Sequence, residues 1–162
     1  MMTDIQVRLA SVEDIPTLKV HEAHPNARFA EQHFERQQAG DYYLAVAFDE
    51  ETLVGTCVLD CSADNPLAPE LKSLWVYPEH RRKGAARALT HYMEQQSAKL
   101  GFVEVFLRIN PNDPDAIPTY ISFDYRPTGD HFETAYEWVD AEGTRYSRFQ
   151  DDAVYRKSLL AR

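Results

Sequence analysis

A chain of 162 residues, 44% apolar and 27% charged, is long enough for one domain with its own hydrophobic core, so a single domain over 1–162 is expected. Its longest apolar runs, about seven residues as at Tyr42–Phe48, exclude a bilayer-spanning helix. The net charge of −9 argues against a nucleic-acid partner, favours a cationic substrate, and requires any bound polyanion to find a local basic patch. The opening Met-Met-Thr-Asp-Ile-Gln-Val-Arg lacks a basic segment followed by an apolar one, so no signal peptide is expected and the predicted location is cytoplasmic.

Ile5–Leu9 alternates as a short strand does. Ser11 followed by Asp14 predicts a helix start of capping-box type, with Asp14 as the alternative N-cap that puts Pro16 in the first turn. A second helix is predicted over Phe29–Gln38, closed by Gly40. Tyr42–Phe48 and Leu53–Cys61 read as a strand hairpin around Asp49–Thr52. Cys57 and Cys61 sit too far apart along one strand for a disulfide and are expected to be reduced. After the polar loop Ser62–Pro69 comes a strand at Leu71–Tyr77, stopped by Pro78.

A helix is predicted from Gly84 to Leu100, with Ala85, Leu89, Tyr92, Met93 and Leu100 on one face and Gly101 as its stop. Phe102–Ile109 reads as a strand, Asp115–Phe123 as a short helix, and Phe132–Val139 and Arg145–Leu159 as two closing strands, with an irregularity near Gln150–Asp152. The predicted order is β-α-α-β-β-β-α-β-α-β-β. This is a mixed α/β (α+β) domain of about seven strands and about four helices.

Several function classes fall away on spacing. The six glycines are never closer than 14 residues, which rules out a dinucleotide fingerprint, a G-x-x-x-x-G-K-[ST] phosphate loop and a G-x-S-x-G elbow. His21 and His24 stand at i,i+3, whereas a zincin helix needs i,i+4, so no metal is expected.

What remains is the segment after the strand Leu71–Tyr77. Arg81-Arg-Lys-Gly-Ala-Ala86 opens a helix, where unpaired N–H groups and a partial positive charge gather. Gly84 admits a close approach, Ala85 and Ala86 keep it clear, and Arg81, Arg82, Lys83 and Arg87 supply positive charge. The pattern is that of an anion site.

Leu74–Leu89 resembles the acetyl-CoA motif of GNAT N-acetyltransferases, [RQ]-x-x-G-x-[GA], with Arg81, Gly84 and Ala86 matching. Val7–Pro16 resembles the family's first strand and helix, and the element order follows the family fold along nearly the whole chain. The resemblance implies that the main chain of Leu74, Trp75 and Val76 pairs with the pantetheine arm, that a strand N–H steadies the acetyl oxygen, and that the amides of Arg82, Lys83, Gly84, Ala85 and Ala86 hold the pyrophosphate.

Asn112–Tyr125 resembles the family segment N-x-x-A-x-x-x-Y-x-x-x-G-F. Ala116 and Tyr120 match; Asp113, Asp124 and Tyr125 stand for the usual Asn, Gly and Phe. Tyr120 is thereby the candidate acid for the leaving thiolate. Glu70, at the head of the central strand, resembles the base position of histone-acetylating members, with Glu79 as the weaker candidate. The acceptor pocket is expected among Tyr42, Tyr43, Tyr136, Trp138, Tyr146 and Phe149, with Glu133, Glu137, Asp151 and Asp152 nearby. The expected reaction is transfer from acetyl-CoA to a small-molecule amine or amino acid by direct attack in a ternary complex. The alternatives are a protein lysine or N-terminal acetyltransferase, or a non-catalytic acetyl-CoA-binding module. Relatives often dimerise, so a homodimer is a further expectation.

Overall fold

The structure is a computed structural model that describes residues 4–160. Its strands are β1 (Ile5–Leu9), β2 (Tyr42–Asp49), β3 (Thr52–Asp60), β4 (Glu70–Val76), β5 (Glu104–Ile109), β6 (Arg126–Val139) and β7 (Arg145–Ser158). Its helices are α1 (Ile15–Val20), α2 (Phe29–Gln37), α3 (Ala85–Lys99) and α4 (Ala116–Ser122). The expected element order is the observed one. Before α1, the Asp14 carboxylate accepts from the Ser11 N–H at 2.8 Å and is gripped by Arg8 at 2.7 and 2.8 Å, closing a capping box, while Asp14 itself stands at the N-cap position of α1 without a side-chain cap bond.

One seven-stranded sheet runs in the order β1-β2-β3-β4-β5-β7-β6. Neighbours are antiparallel except β4 and β5. Alternation sorts the side chains onto two helical layers. Tyr42, Leu44, Val46 and Val58 pack under α1 and α2 with Leu18 and Ala30. Ala45, Cys57, Leu59, Val105 and Leu107 pack under α3 and α4 with Leu89 and Met93. Leu100, expected on the buried face of α3, is instead 48% exposed, because it caps the helix beyond the last packed turn.

Two irregularities make the site. β4 and β5 share one register pair, Glu70 with Phe106, reinforced by the Phe106 N–H bonding to the Pro69 carbonyl at 3.0 Å. Beyond that pair the strands diverge, which leaves the β5-facing edge of Leu71–Val76 without a partner strand. On its other side β4 carries a bulge, since Lys72 pairs with Val58 and Trp75 with Thr56, so Ser73 and Leu74 face Cys57 alone. Ser73 takes a left-handed φ of 54° there.

β6 starts at Arg126, earlier than expected, and its register slips between Pro127 and His131 around Gly129. The irregularity expected near Gln150 in β7 therefore lies on the partner strand. The long β6–β7 hairpin reaches back across the molecule. The Arg145 guanidinium donates to the carbonyls of Asn26 and Ala27 at 2.7 and 3.0 Å, tying the hairpin tip to the loop between α1 and α2.

Candidate active site

The turn after β4 is built to leave amides free. Pro78–His80 forms a single 3-10 turn, then Arg82 (φ 66°) and Gly84 (φ 88°) both take left-handed conformations. Among the described residues, no hydrogen bond is made by the N–H groups from Arg82 through Ala86; the ladder of α3 opens with Ala88 bonding to the Gly84 carbonyl at 3.0 Å. An unpaired run of amides at a helix start is a fitting seat for a pyrophosphate.

The basic side chains around it do different things. Arg81 folds back, its Nε donating to the Val76 carbonyl at 3.0 Å and its guanidinium lying 5.0 Å from the Trp75 ring. It staples the turn to the end of β4. Lys83 sits 3.8 Å from Asp49, Arg87 covers the Phe123 ring at 4.7 Å, and Arg82 is exposed.

The divergence of β4 and β5 opens a cavity of about 1130 Å³ that contains Leu74, Glu70 and Tyr120 on its walls. Trp75 and Val76 continue the same strand toward the anion turn. The cleft thus joins the unpaired edge of β4, the acid candidate and the base candidate. Glu79 lies exposed in the 3-10 turn, outside the residues that line it.

Tyr120 packs edge-on against Phe123 and Tyr125, with ring centroids 6.1 and 5.8 Å away. Burial pushes its phenol well above the ordinary tyrosine range, helped by Cys57 and Asp113. It therefore stays protonated at neutral pH and has a proton to give.

Glu70 is 3% exposed. One carboxylate oxygen accepts from the Asn65 amide at 2.9 Å, and the other lies 3.0 Å from the Arg108 Nε. That N–H is angled off the oxygen, so the contact is an ion pair rather than a hydrogen bond. Next to it Asp60 is held by Lys72 at 2.8 Å, by Ser62 and by Asn65; against the cost of burial, Lys72 and Ser62 pull its carboxyl down to about 2.

The departures in the α4 segment have physical compensations. Asp113 caps α4 by accepting from the Asp115 and Ala116 N–H groups at 3.0 and 3.2 Å. Asp124 adopts φ 74°, the conformation a glycine would take more easily. The hydroxyl of fully buried Tyr125 bonds to Glu94 at 2.8 Å, and Glu94 is paired in turn with Lys157 at 3.0 Å.

Of the expected acceptor residues, Tyr42, Tyr136, Trp138 and Glu137 line the cavity. Tyr146 stacks on Trp138 at 5.3 Å. Asp152 is buried behind Tyr136. Tyr43 packs with the α3-side core, and Phe149 (71% exposed), Glu133 and Asp151 lie exposed outside the cavity. Sequence reasoning passed over His33 and Arg108. Burial pushes the His33 imidazole down to about 4, aided by Lys72 and Arg36, while its Nδ1 meets the Tyr42 hydroxyl at 2.7 Å.

Among the described residues no three His, Cys, Asp or Glu side chains gather as a metal would need. His21 stacks on Tyr77 and His24 accepts from the Asn26 N–H. Both cysteines are free thiols. No described helix is long and apolar enough to cross a membrane.

Residues 8–125 match the Acetyltransferase (GNAT) family. No curated protein sequence matches the chain. Solved structures share the fold at low identity. The yncA protein of Salmonella typhimurium, with its cofactor acetyl-CoA, is 16% identical at a TM-score of 0.69, covering 98% of this chain and 96% of its own. Spermidine N-acetyltransferase from Vibrio cholerae, in complex with CoA and spermine, is 18% identical at 0.68, covering 96% and 95%. The ribosomal-protein-S18-alanine N-acetyltransferase of Escherichia coli is 16% identical at 0.67, covering 98% and 96%. With the family matched over most of its length and the fold over nearly all of it, the chain belongs to the GNAT family of acetyl-CoA-dependent acetyltransferases.

Proposed function

We propose that this acetyltransferase moves the acetyl group of acetyl-CoA to the primary amine of a small molecule, by direct attack in a ternary complex. The observation that carries the reading is the tether between Arg145 and the carbonyls of Asn26 and Ala27. It anchors the β6–β7 hairpin, which supplies Tyr136, Glu137, Trp138 and Arg148 to the cavity, so the amine would enter a cavity with a fixed wall rather than an open groove. The structural neighbours include a spermidine acetyltransferase and a ribosomal-protein alanine acetyltransferase, so the fold does not choose between small and protein acceptors; the tether favours the small one. Aromatic faces at Tyr42, Tyr136 and Trp138 suit the cationic form of an amine.

The amides from Arg82 to Ala86 would hold the pyrophosphate. The free edge of β4 at Leu74–Val76 would pair with the pantetheine arm as an added strand does, and an N–H of that edge would steady the acetyl oxygen. Tyr120 would give its proton to the departing thiolate. Glu70, the expected base, has both oxygens engaged and would first have to release Arg108 or Asn65. Its proposed part is to hold Arg108 at the cavity wall.

Release of free thiol from acetyl-CoA, followed across polyamines, amino acids, aminated metabolites and short peptides, tests the reading. Turnover confined to small amines is expected. Turnover with peptides alone would assign the protein acceptor, and uptake of acetyl-CoA without thiol release for any amine would assign a binding module.

A further inference from the structure

Asp152 is an unusual carboxylate. It is fully buried (0% exposed) on β7, and its partners are the Tyr136 hydroxyl at 2.5 Å and the Gln150 amide at 2.8 Å. Both donors are neutral, and among the described residues no lysine, arginine or histidine forms an ion pair with it. Carboxylates withdrawn from water are ordinarily matched by a cation, as Asp60 is by Lys72 and Glu70 by Arg108 in this same cavity. Tyr136, by contrast, is 36% exposed and lines the cavity. Because its O–H points inward to Asp152, the remaining lone pairs of its oxygen are free to accept. An ammonium entering the cavity meets an acceptor oxygen backed by a buried anion.

We propose that Tyr136 and Asp152 form the pair that removes the proton from the acceptor amine. An N–H bond of the ammonium breaks and its proton passes to Tyr136 Oη, while the proton of Tyr136 passes to Asp152 Oδ2. The nitrogen keeps the electron pair and attacks, Tyr136 ends as a phenol, and Asp152 ends as a neutral acid that returns its proton through Tyr136 to solvent water once the product has left. The step rests on the acetyltransferase reading of the cavity.

Charged and titratable groups face the pair from several walls of the cavity: Asp60 and Lys72, which pair with each other, Asp64, Asp113, His33 of α2 and Glu137 of β6 all line it. Glu70 of β4 and Arg108 of β5 act on Tyr136 but neutralise each other. From β7, Arg148 lies over Trp138 at 5.9 Å, and from α2, Arg36 lies over Tyr42 at 4.5 Å. Positive charge at Arg148 and Arg36 favours loss of the ammonium proton and does not compete for it.

The test compares the pH dependence of kcat/KM for the best amine in the wild type, Asp152→Asn, Tyr136→Phe and Glu70→Gln. Melting temperature and acetyl-CoA affinity are measured alongside. Asn keeps the size and an acceptor oxygen for Tyr136 but takes up no proton, so a merely structural contact would survive it. The expected result for Asp152→Asn is a fall in kcat of about a hundredfold or more with loss of the acidic limb, at unchanged acetyl-CoA affinity. Tyr136→Phe, which leaves Asp152 in place, should lose the same limb, and Glu70→Gln should keep it. An acidic limb that persists in both Asp152→Asn and Tyr136→Phe, with kcat within about threefold of the wild type, overturns the proposal and leaves the acetyltransferase reading intact. A wild type that acetylates no amine overturns both.

Discussion

Tyr120 and His33 are half-buried polar rings in the same cleft, and loss of water around them moves them in opposite directions. The phenol is pushed up and remains a proton donor; the imidazole is pushed down to about 4 and remains neutral. Tyr120→Phe removes only an oxygen whose proposed role falls at the leaving-group step. Turnover should drop about tenfold to a hundredfold while acetyl-CoA affinity, read by calorimetry, stays within about twofold. His33 has a consequence for stability. Its folded pKa lies below that of the unfolded chain, so the unfolded state takes the proton first as pH falls. Stability is full above about 6.5 and is lost progressively down to about 4, by up to about 3 kcal/mol. Melting curves of the wild type should shift down across that window, and those of His33→Gln should shift less.

Which residues would meet in the cleft was only partly legible in the sequence. Tyr120 and Glu70 carry their position in a local pattern, a helix after a strand and the head of a strand. Arg108 reads as an ordinary alternating strand residue; it acquires its part because β5 runs parallel to β4 and places it on Glu70. Asp152 read as one more acid beside the aromatics. Its burial depends on the diagonal reach of Tyr136 across the hairpin, which no spacing rule announces.

The central element is β4, free on one edge and bulged on the other. Strand, turn and helix were legible because Pro78, Gly84 and the apolar spacing of α3 mark them locally. The bulge at Ser73 was not, since it is set by how β3 and β4 align around Gly55. A Cβ added at Gly55 would lie 2.7 Å from the Trp75 carbonyl oxygen and 3.2 Å from the Val76 Cα, both main-chain atoms. Gly55→Ala must therefore force the two strands apart beside the β4 edge proposed to pair with the pantetheine arm. A destabilisation of about 1–3 kcal/mol follows, seen as a fall in melting temperature, together with weaker acetyl-CoA binding. Arg81 also changed meaning at this scale. Its charge reads as phosphate attraction, yet its contacts to Val76 and Trp75 make it the clamp that holds the turn.

For the molecule as a whole, a net charge of −9 would keep an anionic ligand away unless the fold arranged a local exception. The exception we propose is the turn after β4, where free amides meet the start of α3 and Arg82 stands exposed beside them. Arg145 ties the hairpin to the α1–α2 loop and so fixes the wall that carries Tyr136 and Trp138; on the proposed reading the two substrates would approach from opposite sides of the splayed strands. The measurement that bears most directly on this account is a calorimetric titration of the wild-type chain with acetyl-CoA and with S-acetyl-pantetheine, which lacks the pyrophosphate and nucleotide. Acetyl-CoA should bind roughly a hundredfold more tightly, a difference of about 2.7 kcal/mol. Equal affinities, or no heat on adding acetyl-CoA, would contradict the amide cradle and the function built on it.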